Sequence, residues 1–249
     1  MMRVAALYDI HGNLPALEAA LREVSDAGVD HLVIGGDVFP GPMCVEALAR
    51  LRALNVPTSF IQGNGDRETL AIKAGQATPA VPEAYRPSMQ WTAEQLSADD
   101  ERFVAGWPAT VRLDIAGLGA VLFCHATPRN DMDIFTRLTP EEPLVPIFAA
   151  ANAPVVVCGH SHMQFDRPIG HVRVVNAGSV GMPFGAPGAD WLLLGPCVEL
   201  RHTPYDLTAA AARIRATKYP MAEEFAEKYV LSPPAEEAML KAFAPAALR

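Results

Sequence analysis

Five apolar runs of strand length in this chain each stop at a small cluster of Asp, Asn or His, and that repetition limits the fold more than any other feature. Val4 to Tyr8 ends in Asp9-Ile10-His11-Gly12-Asn13, and His31 to Ile34 ends in Gly35-Gly36-Asp37. Val56 to Ile61 opens into Gln62-Gly63-Asn64-Gly65-Asp66-Arg67, Ala120 to Cys124 meets His125, and Pro154 to Cys158 ends in Gly159-His160-Ser161-His162. Short apolar runs bounded by turn residues predict buried strands. Between the first three, Leu14, Leu17, Leu21 and Val24, and then Val45, Leu48, Leu51 and Leu54, recur at helical spacing. Pro15 stands where a first helical turn tolerates it, and Gly28 closes the first helix. This alternation predicts an α/β core with parallel strands, a class in which ligands bind beyond the carboxyl ends of the strands.

The chemistry of the exits follows from their residue types. Each pair spaced i, i+2 comes off one loop, so both side chains can approach the same small volume. Carboxylate, imidazole and amide oxygen together suit ions such as Mn, Fe, Zn, Ni or Co. A single Asp after a strand is ordinarily a helix cap, and a single His is ordinarily structural. The five clusters together carry the reading. Asp37, whose preceding glycines allow close backbone approach, is read as the carboxylate shared by two metal ions. Such a pair activates water and clamps a phosphoryl oxygen.

The remaining sequence frames this core as one domain over residues 1–249. Residues 71–106, punctuated by Pro79, Pro82 and Pro87, read as a helical insertion that is either a lid or a plain connector. Ser97-Ala98-Asp99-Asp100 looks like a capping box within it. Thr110 to Ile115 pairs with Ala120 to Cys124, Pro140 to Ala151 is helical, and Val172 to Val175 leads into Asn176-Ala177-Gly178-Ser179. Asp190 to Leu194 and Cys197 to His202 form a last hairpin. Residues 205–249 form two or three helices broken at Pro220 and Pro233-Pro234, read as packing or as a homo-oligomer contact.

Composition narrows the function classes. Twenty Lys and Arg against 28 Asp and Glu leave a formal charge of −8, which speaks against a nucleic-acid partner, because phosphate backbones are held by cations. No run reaches membrane-span length, and the start is too short for a signal peptide. Cys44, Cys124, Cys158 and Cys197 form no CxxC pair and read as buried thiols of a reducing compartment, so the expected location is the cytoplasm.

Asp9-x-His11-Gly12-Asn13, Gly36-Asp37, Gly63-Asn64-x-Asp66, His125 and Gly159-His160-x-His162 resemble the motif series of the calcineurin-like metallophosphoesterases, over roughly Arg3 to Gly181. The resemblance implies a four-layer α/β/β/α sandwich with metals at the strand ends. It implies one metal held by Asp9, His11, Asp37 and His162, and a second held by Asp37, Asn64, His125 and His160. It makes Asp37, Asn64 and His125 the candidate catalytic residues. Asn64 and Arg67 are the candidate phosphate-binding residues, Arg67 having a surface salt bridge as its alternative. The loop 176–179 either shapes the phosphate site or is a tight turn. One position departs from the pattern: where many members carry a histidine that helps the leaving group, this chain has Gly65. General acid help is worth about 10²–10⁴-fold, so the expected substrates are phosphodiesters or other esters with good leaving groups. Protein Ser/Thr or small-molecule monoesters are the alternative, and a non-catalytic metal-binding scaffold is the alternative of another class. His31, His171 and His202 fall outside the motifs and are read as structural.

Overall fold

A computed structural model describes residues 2–248. The first half alternates as expected: β1 (Val4–Leu7), α1 (Leu14–Asp26), β2 (His31–Ile34), α2 (Cys44–Arg52), β3 (Thr58–Phe60) and α3 (Asn64–Lys73). A 3₁₀ turn at Glu83–Tyr85 leads to α4 (Arg86–Gln95) and α5 (Ala98–Ala105). The chain continues through β4 (Thr110–Ile115), β5 (Gly119–Cys124), α6 (Val145–Ala149), β6 (Val155–Cys158), β7 (Gln164–Ile169) and β8 (Val172–Ala177). The hairpin β9 (Ala189–Leu194) and β10 (Val198–Thr203) precedes α7 (Leu207–Arg215), α8 (Ala222–Phe225), a π-helical stretch at Ala226–Leu231, and α9 (Glu236–Phe243).

Two five-stranded sheets stack face to face, ordered β10-β9-β1-β2-β3 and β4-β5-β6-β8-β7. Strands β1, β2 and β3 are parallel, as are β5, β6 and β8. Side-chain alternation builds the layers. On β1, Ala5 and Leu7 join Leu17, Leu21 and Leu48 of α1 and α2, while Val4 and Ala6 face Val121, Phe123 and Val157 of the second sheet. Beyond that sheet, Leu122, Val156 and Val174 pack on Leu144, Ile147 and Phe148. A strand buried on both faces has no polar side, which is why β1 and β6 read as unbroken apolar runs. The result is the four-layer α/β/β/α arrangement. Among the described residues no helix is long and apolar enough to cross a membrane.

Several local expectations shift. Only Val145–Ala149 of the 140–151 stretch is α-helical. Pro143 and Pro146 supply no N–H, so the segment before the helix is a turn. Strand β7 carries Pro168 and gives no clean strand signal; it is an edge strand paired only with β8, where proline is tolerated. The loop expected after β3 is already helix from Asn64. Cys44, Cys124 and Cys158 are buried, but Cys197, at the hairpin turn, is exposed.

Candidate metal centre

Register brings the exits level. Leu7 pairs with Ile34 and Ile34 with Phe60, so β1, β2 and β3 end side by side; Phe123 pairs with Val157 across β5 and β6. Asp9 and His11 leave β1, Asp37 leaves β2, Asn64 opens α3, His125 follows β5, and His160 and His162 follow β6. These residues gather into two groups, Asp9 with His11 and His162, and Asp37 with His125 and His160; the ligand atoms of each group lie within 4.8 Å of one another. Asn64 joins the second group, its side-chain amide standing 3.1 Å from His125 Nε2, to which the amide N–H donates in the orientation that satisfies its neighbours. Asp37 faces both groups: Oδ1 is 3.5 Å from His125 Nε2 and Oδ2 is 3.8 Å from His11 Nε2.

The backbone is bent to achieve this. Asp9, His11, Asp37, His160 and His162 all hold φ between 46° and 65°, a region L-residues seldom occupy, and the only other such non-glycine is Asn152 among the described residues. The loops are pinned in compensation. Asp9 N donates to Gly36 O at 3.1 Å, His11 N to Asp37 O at 2.9 Å, and Ser179 Oγ to Asp9 O at 2.7 Å.

The imidazoles are oriented from behind. His125 Nδ1 is 2.9 Å from Gly35 O and His162 Nδ1 is 2.8 Å from Met182 O. A carbonyl only accepts, so each Nδ1 carries the proton and each Nε2 presents its lone pair to the cluster. Burial and the neighbouring imidazoles push His11 and His160 down to about 3, so both are neutral at physiological pH, as a metal ligand must be. Burial favours a neutral Asp9, but the facing imidazoles when protonated, His162 foremost with Nε2 3.3 Å from Oδ1, hold its carboxyl below the usual range. Burial and then the charge of Asp9 push Asp37 up. Asp9 Oδ2 accepts from His160 N at 2.8 Å, while the buried Oδ1 has no hydrogen-bond partner. An unpaired buried carboxylate oxygen is costly, and a cation among these donors satisfies it. The donor set therefore fits divalent metal ions.

Three braces were less visible in the sequence. Asp66, fully buried, accepts from Asp37 N at 2.8 Å, Gly63 N at 2.9 Å and Phe39 N at 3.1 Å, tying the exits of β2 and β3 together. Its position three residues after Gly63, at the start of α3, was the available signal. Asn176 Nδ2 donates to Gly159 O at 2.7 Å and to Ser161 Oγ at 3.1 Å, so the 176–179 loop supports the histidine loop and Asp9 from behind. Phe184 stacks on His162, with ring centroids 5.2 Å apart.

Arg67 points elsewhere. Its guanidinium pairs with Asp131 at 2.7 and 3.1 Å and lines a separate hollow on the far side of His125. Gly65 has no room for any side chain, since a Cβ there would stand 2.3 Å from Phe39 O. His31 bonds Ser59 Oγ at 2.9 Å and His202 pairs with Asp190 at 2.8 Å, both outside the cluster. A cavity of about 290 Å³ opens over the two clusters. Its floor includes His11, Asp37, Asn64 and His160, and its walls come from the 71–106 insertion and from the C-terminal helices. The C-terminal segment, expected as packing or an oligomer contact, is thus also a wall of the site.

Comparison with known proteins agrees with this geometry. Residues 2–194 match the calcineurin-like phosphoesterase superfamily domain. An uncharacterised protein of Methanocaldococcus jannaschii is 24% identical over 241 residues, covering 87% of this chain and 93% of that protein. The crystal structure of a hypothetical protein from Pyrococcus horikoshii OT3 superposes with a TM-score of 0.76 at 22% identity, over 94% of this chain and all of that one. That of a metallophosphoesterase from Sphaerobacter thermophilus gives 0.69 at 25% identity, over 92% of this chain and 98% of the other.

Proposed function

This chain belongs to the calcineurin-like phosphoesterase superfamily, and from that premise we propose that it is a two-metal phosphoesterase acting on small esters, diesters in preference to monoesters. The observation that carries the reading is Asp37, whose two oxygens face one imidazole of each ligand group. Asp9, His11, Asp37 and His162 would hold one cation, and Asp37, Asn64, His125 and His160 the other. Two such ions supply Lewis acidity toward a phosphoryl oxygen and a water that is acidic near neutral pH.

The chain's own residues do the positioning. The carbonyls of Gly35 and Met182 fix the tautomers of His125 and His162. Asn64 lies on the cavity floor beside His125 and His160 and would orient a phosphoryl oxygen there. No Lys or Arg lines the cavity among the described residues. The dianion of a monoester therefore finds no cationic side chain, whereas a diester brings one negative charge and a second organic group to apolar walls. With Gly65 offering no proton, esters with good leaving groups are turned over best. A non-catalytic metal-binding scaffold on this fold would load metal through the same residues but would hydrolyse no ester.

The test is Asp37→Asn with bis(p-nitrophenyl) phosphate after loading with Mn²⁺. Wild type binds about two ions per chain and hydrolyses the diester; the variant loses both. An unchanged rate in the variant, or no metal uptake by the wild type, would refute the reading.

A further inference from the structure

The cavity above the two ligand clusters is walled by residues that the phosphoester chemistry does not require. Val81, Tyr85 and Met89 come from the 71–106 segment, Tyr219 from the α7–α8 connection, and Phe225 and Tyr229 from the C-terminal helices. The last three form a continuous aromatic run, with Tyr219 and Phe225 centroids 6.4 Å apart and Phe225 and Tyr229 5.5 Å apart. Tyr229 lies in the π-helical stretch, a geometry that concentrates at functional sites. Apart from Asp37, the wall carries one carboxylate, Glu68, one turn along α3 from Gly65. Glu68 is buried, its Oε1 has no hydrogen-bond partner, and the nearest guanidinium nitrogen, on Arg67, is 3.9 Å away.

We propose that this chamber selects phosphate esters whose organic group is an uncharged aromatic ring, with Tyr85, Phe225 and Tyr229 as the specificity-determining residues and Glu68 excluding esters that carry a second anion. The inference rests on the phosphoesterase reading and names its substrate class. Aromatic walls favour a ring by offset or edge-to-face contact. A second carboxylate or phosphate on the ligand would be desolvated beside Glu68, with no Lys or Arg among the residues that line the chamber. The volume stands at the small end of ordinary ligand cavities, about 300–1,000 Å³, so it admits a compact ester and not a polymer strand.

The experiment is calorimetric binding of two phosphonates to the Mn²⁺-loaded full-length protein. Both present the same phosphonate to the metals; phenylphosphonate adds a ring and 2-carboxyethylphosphonate adds an anion. Phenylphosphonate should bind at least about tenfold more tightly. Tyr229→Ala should remove most of that advantage, and Glu68→Gln should strengthen 2-carboxyethylphosphonate binding several-fold, more than it changes phenylphosphonate binding. Circular dichroism and metal content check that each variant folds; should Tyr229→Ala fail, Tyr85→Ala, at an exposed ring, replaces it. Equal or reversed affinities in the wild type overturn the inference, as does an advantage untouched in both tyrosine variants. Bis(p-nitrophenyl) phosphate separates the two readings. Binding preference without turnover overturns the phosphoesterase reading and leaves the chamber's selectivity standing, and turnover without preference does the reverse.

Discussion

Replacing Gly65 by alanine measures how closely the exits of β2 and β3 are packed. Gly65 is the second residue of α3, and in an unencumbered helix alanine is better than glycine by about 1 kcal/mol. Here the added Cβ would stand 2.3 Å from Phe39 O and 3.1 Å from Asp37 Oδ1. Carbon–oxygen contacts normally settle at about 3.3 Å or more, so the Phe39 carbonyl or the start of α3 must move by roughly 1 Å. Overpacking of this kind costs about 1–3 kcal/mol, and an obstacle that is backbone falls in the upper half of that range. Less the helical gain, the net loss is about 1–2 kcal/mol. At about 2–4 °C per kcal/mol for a chain of this length, Tm should fall by roughly 2–8 °C. The assay is thermal unfolding in chelator, which reads the packing without metal, paired with Mn²⁺ titration, which reads the displacement of Asp37. Metal affinity should weaken too, because Gly65 N donates to Asp37 Oδ1 at 2.8 Å and that bond moves with the helix. A variant with equal or higher Tm in chelator and unchanged Mn²⁺ affinity would refute the packing argument. The same clash predicts that Gly65→His does not restore a proton donor.

Two further outcomes are expected. Arg67→Ala should leave turnover of bis(p-nitrophenyl) phosphate within about twofold, because its pair with Asp131 is part-exposed and such pairs contribute about 0–1 kcal/mol; a hundredfold loss would return Arg67 to phosphate binding. His202→Gln tests a pH-dependent brace. The Asp190 carboxylate raises the pKa of His202, so the pair's contribution is fully present below the unfolded value of about 6.5 and disappears as pH rises through the folded value. The Tm difference between wild type and variant should therefore shrink as pH is raised above neutrality, and a difference that grows would contradict the assignment.

The residue types and their order were legible because strand exits leave them in register, and a buried strand announces itself by an unbroken apolar run. Val155–Cys158 is such a strand, and the two histidines beyond it have no packing rationale. What stayed illegible depended on contacts distant in sequence. Arg67 could be a phosphate ligand or a salt-bridge partner from its motif, and its pairing with Asp131, 64 residues on, was not legible there. Cys197 has apolar neighbours in sequence but sits at the β9–β10 turn, where it is exposed. The C-terminal helices carry no metal ligands, so nothing in their composition announced that Phe225 and Tyr229 reach the cavity. Gly65 reads as a missing histidine, whereas its neighbour Phe39 O makes it a position where only glycine fits.

The same contrast explains why the ligand clusters are spaced as they are. An extended chain sends residues i and i+2 to one side of a strand but carries them apart by two residues' rise. Turning Asp9 and His11, or His160 and His162, into left-handed backbone folds the chain back at once and keeps both side chains at the strand's end. Each such residue costs about 1–2 kcal/mol relative to ordinary backbone, a cost the surrounding hydrogen bonds must hold in place. Ser179 Oγ on Asp9 O, Gly36 O on Asp9 N, and Asp66 on three amides of the neighbouring exits are those restraints. Glycine would adopt these angles more readily, but it has no ligand atom. Aspartate and histidine at positive φ are thus the trace, in the backbone itself, of a cluster whose geometry departs from how the chain would otherwise fold.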